Sequence, residues 1–165
     1  NLEIARRRAR AARLPAIEIE AAVETVELCL ASRPVDESWL ELAKEACREA
    51  SELLSFHPEH RQLVAFRRQL AKIAFLEGRP GEAIEILEQA RSLCENMEAH
   101  FYAADCDYQL GHMIAQSSEL RRDPELRAKS LAALRRAIAF YDANCAPEIE
   151  YKRHCLETLA RLEAS

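Results

Sequence analysis

Apolar residues in this chain return every three or four positions, and the pattern is interrupted at Pro15, Pro34, Pro58, Gly78 to Gly81, Ser117 to Pro124 and Pro147. Such a period puts a stripe on one face of an α-helix, so each interval between interruptions predicts a helix. From Pro15 to Ser32 the stripe is Ile19, Ala22, Val23, Val26 and Leu30, with Glu18, Glu20, Glu24 and Glu27 on the other faces. Asp36 or Ser38 is placed to cap the next helix, and Glu41 stands three residues after Ser38, as in a capping box. Trp39, Leu40, Ala43, Cys47, Ala50 and Leu54 continue inward to an end near Phe56.

Pro58 suits a first helical turn. Leu63, Phe66, Leu70, Ile73 and Ala74 then make the buried stripe of a helix that stops at Gly78. Gly-Arg-Pro-Gly is a tight turn, after which Ala83, Ile84, Leu87, Ala90 and Leu93 predict a helix returning antiparallel, the packing a short connection allows. A further pair follows: Phe101, Ala104, Tyr108, Leu110, Gly111 and Ile114 on its first helix, a loop, Asp123-Pro124 as cap and first turn, then Leu131, Leu134, Ala137, Ile138 and Tyr141. A final helix runs from Pro147 to about Glu163. The expectation is one all-α domain over residues 1–165: a basic helix over 1–14, three helical hairpins over 15–144 and a closing helix over 147–165.

Composition narrows the fold class. At 49% hydrophobic content the chain can build a core. β-Branched residues are sparse and no alternating stretch is long enough for a sheet, which excludes barrels, sandwiches and dinucleotide-binding folds. Arg6, Arg7, Arg8, Arg10 and Arg13 against Glu3 set residues 1–14 near +4, so the whole-chain charge of −5 leaves the rest near −9. An acidic body argues against a nucleic-acid partner. The basic start reads as the last part of a helix from a preceding repeat, with Ala5, Ala9 and Ala12 as a thin packing stripe. No apolar run is long enough to span a bilayer and no leader pattern opens the chain, so no membrane partner is expected. Cys29, Cys47, Cys94, Cys106, Cys145 and Cys155 form no Cys-x-x-Cys pair and mostly sit in amphipathic patterns, which reads as reduced, buried thiols in a cytoplasmic protein. Starting without Met and ending on helix-like sequence, the chain is expected to be part of a longer protein.

Small residues recur on the second helices at spacings of four and then three: Ala43, Cys47, Ala50; Ala83, Leu87, Ala90; Ser130, Leu134, Ala137. Residues of that size let helix axes approach closely while neighbouring Leu side chains fill the groove. The triplets are offset by 40 and 47 residues, and repeated hairpins of this kind stack into a solenoid. On these residues the chain resembles the tetratricopeptide repeat family. The likeness is closest in Leu70-Ala71 through Gly78, Glu82-Ala83-Ile84 and Leu87 to Ala90. A second match, Leu110-Gly111 and Ile114 with Ser130, Leu134 and Ala137, holds about seven extra residues between its helices, and the N-terminal third has Ala43, Cys47 and Ala50 without a first-helix signature. The resemblance covers roughly residues 36 to 141. It is similar to the long, degenerate repeats of sensor and scaffold domains in bacterial regulators, and it implies a short right-handed solenoid with a concave peptide-binding groove.

Chemistry-bearing clusters are few. His57 and His60 bracket Pro58 without a third ligand, His154 and Cys155 diverge by about 100° on a helix, and His100, Cys106 and His112 scatter around theirs, so no metal site or cofactor is expected. No phosphate loop, nucleophile elbow or zinc-protease motif is present, and an enzyme is not expected. Arg68, Lys72 and Phe75 share one helix edge, as do Tyr108, His112 and Gln116, giving a cationic, aromatic and hydrogen-bonding ledge that in tetratricopeptide-like domains would bind peptides or helices. The alternative leaves Arg68 and Lys72 as solubilising charges and Tyr108 in the core. The expected function is therefore a non-catalytic protein-protein interaction module, a fragment of a regulatory or scaffold protein, with homo-oligomerisation through an exposed terminal repeat as a further expectation. A ligand- or peptide-sensing domain that controls an attached effector is the alternative.

Overall fold

In a computed structural model of the chain, residues 4, 14–31, 36–57, 62–145 and 150–164 are described, and their regular secondary structure is all α-helical. The helices are α1 (Pro15–Ala31), α2 (Glu37–Phe56), α3 (Gln62–Leu76), α4 (Pro80–Asn96), α5 (His100–Gln116), α6 (Ser118–Arg122), α7 (Pro124–Asn144) and α8 (Glu150–Glu163). The arginine cluster at 6 to 13, together with Pro34, Pro58, His60 and Pro147, lies outside the described residues. Two compact units divide the chain, Asn1–Arg79 and Pro80–Ser165, so the stretch most like a tetratricopeptide repeat is shared between them.

Local chemistry sets the helix ends. Asp36 caps α2 by accepting from the Trp39 N–H at 3.0 Å, and the Ser38 hydroxyl donates to the same carboxylate at 2.6 Å. The expected capping box does not close: Glu41 turns instead to the Lys44 ammonium, 2.6 Å away. Gly78 takes a positive φ of 75° after α3, and the Arg79 N–H reaches back to the Ala74 carbonyl at 2.9 Å, a left-handed stop. After α4 the same closure forms from Ala99 N–H to Cys94 carbonyl at 2.8 Å, with Glu98 at φ 54° in the glycine position. Asp123 caps α7 through the Glu125 and Leu126 N–H groups, and Pro124 opens the first turn. The expected loop before it contains α6, which starts where the Ser117 hydroxyl accepts from the Leu120 N–H.

The core of the first unit joins Ile19, Val26 and Leu30 of α1 to Ala43, Cys47 and Ala50 of α2 and to Phe66 and Ile73 of α3. α1 packs chiefly on α2, and α3 touches both. Within the second unit, Gly111 lies against Ser130 while Phe101 meets Phe140 and Tyr141, so α5 and α7 run antiparallel. α8 returns along both. Tyr108 and His112 of α5 pair with His154 and Thr158 in the same order, making α5 and α8 parallel. Ala104, Leu134, Ala137, Tyr141, Cys155 and Leu162 form the core between them.

All nine members of the three small-residue triplets are buried, each at 4% exposure or less. All six cysteines are free thiols, and all but Cys145 are buried. No described helix is long and apolar enough to cross a membrane.

Candidate functional site

Along one face of α2, Glu41, Lys44, Arg48 and Ser51 follow one another at spacings of three, four and three, and therefore line up. Opposite them stand Leu70 and Ile73 of α3, with Glu77 and Arg79 just beyond its end. Together these residues bound an open cleft of about 490 Å³ whose floor is Cys47, Leu70 and Ile73. Lys44 sits between Glu41, at 2.6 Å, and Glu77, at 2.9 Å, and Arg79 closes on Glu77 from its other side. Hydrogen bonds from Lys44 and then Arg79 hold the Glu77 carboxyl below its ordinary pKa, and the two carboxylates hold Lys44 above its own. This rim is a set of fixed, compensated charges. Arg48, exposed at the same edge, adds a further cation.

Beneath the rim, burial pushes the Cys47 thiol up to about 12, so it stays protonated at neutral pH and serves as a small apolar group. Among the described residues no three His, Cys, Asp or Glu side chains group as metal ligands. The His57 and His60 pair falls partly outside the described residues, and His112 is engaged elsewhere. What the cleft offers is shape, an apolar floor and ordered charge.

The ledge expected on α3 faces away from this cleft. Helical geometry sets the Arg68, Lys72 and Phe75 edge roughly 160° from the Leu70, Ile73 and Glu77 edge. All three side chains are half-buried. Lys72 donates to the Leu30 carbonyl at 2.7 Å, where the last turn of α1 has a carbonyl in need of a donor. Its ammonium thus binds a helix end of its own unit. Tyr108, His112 and Gln116 do come together on α5. Tyr108 and His112 stack with centroids 5.6 Å apart, and Gln116 lies 2.7 Å from His112 Nε2. Their outer side, however, meets α8: Tyr108 packs on Tyr151, and His112 Nδ1 lies 3.3 Å from the Thr158 hydroxyl. Only Gln116 is exposed.

No family model, curated protein or solved structure matches the chain.

Among the described ion pairs of the second unit, the most buried carboxylate is Asp107. Its side chain is 5% exposed and accepts from Arg91 of α4 at 3.1 Å and from Arg136 of α7 at 3.0 Å. Burial works against the Arg91 charge, but the Asp107 carboxylate, aided by Glu95, outweighs it and raises the guanidinium pKa. One carboxylate thereby ties three helices. The partners lie 16 and 29 residues away in sequence, beyond what local spacing reveals. The cleft rim was missed for the same reason, although its polar stripe on α2 was visible.

Proposed function

We propose that this chain is a non-catalytic, tetratricopeptide-like interaction module, and that it seats a peptide or short helix of a partner protein in the α2–α3 cleft. The observation that carries the reading is the cleft itself: an apolar floor of Cys47, Leu70 and Ile73 beneath a rim of preorganised charges, the combination that suits an amphipathic segment. Because Lys44, Glu77 and Arg79 already hold one another, little side-chain ordering remains to oppose binding.

Support for the repeat architecture comes from each unit separately. In the first, α1 packs on α2 and α3 lies against both; in the second, α5 packs on α7 and α8 lies against both. A first helix, its antiparallel partner and then the first helix of a following step is the order in which helical hairpins stack into a solenoid. On this reading the module is a right-handed solenoid segment of a larger cytoplasmic regulatory or scaffold protein, with its cysteines as reduced packing groups.

Selection of peptides displayed against the full chain, followed by calorimetry, tests the proposal. Ser51 is exposed on the cleft wall, so Ser51→Arg fills the cleft without disturbing the core. Selected peptides are expected to lose at least about tenfold in affinity to Ser51→Arg and to keep it with Arg68→Ala, an interaction difference of about 1.4 kcal/mol. Equal binding by both variants, or no peptide binding in the micromolar range, would overturn it.

A further inference from the structure

The edge of α2 turned away from the cleft carries a second apolar stripe. Trp39, Leu42, Ala46, Leu53 and Phe56 fall on it at spacings of three, four, seven and three, the pattern of a helix–helix seam. Helical geometry sets this stripe roughly 150° from the Glu41, Lys44, Arg48 and Ser51 edge. Ala46 is buried and Leu53 packs against the core of the unit, whereas Trp39, Leu42 and Phe56 are 41%, 50% and 74% exposed. Single apolar side chains on a surface are ordinary, but three large ones aligned on one helix, with Ala46 and Leu53 between them, make a strip that water covers at a cost.

Charge decides what fits the strip. α1 has four glutamates and neither lysine nor arginine, and the two cations of α2, Lys44 and Arg48, both line the cleft. Glu45, Glu49 and Glu52 follow one another along the border of the stripe at spacings of four and three, and Glu45 and Glu52 are exposed. An apolar strip bordered by carboxylates is complementary to the apolar face and flanking cations of a basic amphipathic helix, while an acidic segment laid there would meet like charge.

We infer that this edge of α2 seats a basic amphipathic helix of a partner protein, its apolar face on Trp39, Leu42 and Phe56 and its Lys or Arg side chains toward Glu45 and Glu52. Long basic side chains suit the border, because their aliphatic stems lie along apolar surface while their charged ends reach outward to the carboxylates. The strip shares no residue with the α2–α3 cleft and stands independently of the peptide-binding proposal.

Trp39 is the only tryptophan in the chain, so its fluorescence reports on this edge directly. The full chain is titrated with a tryptophan-free helical peptide of leucine and lysine in heptad arrangement, and separately with its leucine and glutamate counterpart. The lysine peptide is expected to shift Trp39 emission to the blue and to saturate at least about tenfold more tightly than the glutamate peptide, with affinity falling as salt is raised. Leu42→Ser combined with Phe56→Ser, both exposed, should weaken the lysine peptide by at least about tenfold with the thermal transition unchanged. Glu45→Lys combined with Glu52→Lys should weaken the lysine peptide and strengthen the glutamate peptide. Absence of a saturable shift, equal affinity for the two peptides, or an unchanged lysine-peptide affinity in either double variant would each overturn the assignment. So would a blue shift on concentrating the protein alone together with a dimer mass by light scattering, which would give the strip to a second copy.

Discussion

The Ser130 hydroxyl donates to the Gly111 carbonyl at 2.7 Å, a buried bond between α5 and α7. A Cβ on Gly111 would stand 2.5 Å from Leu134 Cγ and 3.2 Å from the Ser130 carbonyl oxygen. Leu134 is fully buried and cannot swing away. Gly111→Ala gains helix propensity of about 1 kcal/mol but incurs overpacking of about 1–3 kcal/mol, so a net loss of about 1 kcal/mol is expected. Urea unfolding measures it. Pairing the change with Leu134→Ala should recover part of the clash while adding a cavity cost, a non-additivity that two independent substitutions would not show.

Asp107 is expected to be the most sensitive acidic position. Asp107→Asn keeps the shape but removes the charge that both Arg91 and Arg136 address. Because Arg136 is half-exposed and Arg91 partly so, the loss should be below that of a fully buried pair, about 1–3 kcal/mol of unfolding free energy by urea titration. Glu95→Gln, on an exposed partner of Arg91, should change stability by less than about 0.5 kcal/mol. Equal effects from the two would show that burial at Asp107 carries no weight.

Local signals were legible in the sequence, and long-range ones were not. Asp123-Pro124 and Gly78 name their helix ends because capping and positive φ depend on adjacent residues. Glu98, which stops α4 without a glycine, gave no such sign. The triplets Ala43, Cys47, Ala50 and Ser130, Leu134, Ala137 mark buried faces because helical spacing alone decides which side chains share a face. Spacing also brought Tyr108, His112 and Gln116 together. It could not say that α8, some 40 residues on, packs over two of them, nor that Lys72 reaches Leu30 from 42 residues away. A stripe identifies a surface, and tertiary packing decides whether another element already occupies it.

Lys72 offers a direct test of that distinction. Lys72→Met retains the aliphatic stem and removes the ammonium from the Leu30 carbonyl. Loss of a charged donor at a partly buried helix end should cost about 1 kcal/mol. Hydrogen exchange should then quicken in the last turn of α1, which an exposed solubilising lysine would leave unchanged.

The aromatic seam makes a parallel prediction for α8. Tyr108→Ala combined with His112→Ala removes the ring against Tyr151 and the partner of Thr158. Amide exchange in Glu150–Glu163 should rise by about tenfold or more, corresponding to about 1.4 kcal/mol of lost local stability, while Gln116→Ala leaves it unchanged. Unaltered protection in the double variant would mean that the remaining contacts of α8, the buried Cys155 and Leu162 and the Lys152–Asp142 and Arg135–Glu163 pairs, hold the helix without the aromatic seam.

Two buried thiols set the response to alkali. Burial raises both Cys47 and Cys155 to about 12 from an ordinary 9.0, with the Asp105 charge adding to the effect at Cys155. Between those values the folded chain keeps protons that the unfolded chain has released, so stability falls as pH rises through the window and is independent of these groups below it. The slope is about 1.4 kcal/mol per pH unit for each thiol. Replacing both cysteines with alanine should lower stability near pH 7 through lost packing yet flatten its decline above pH 9. The quantity to follow is the difference between the parent and the variant in urea midpoint across pH 7 to 11, since other groups titrate equally in both. Parallel pH profiles would show that neither thiol is held protonated by burial.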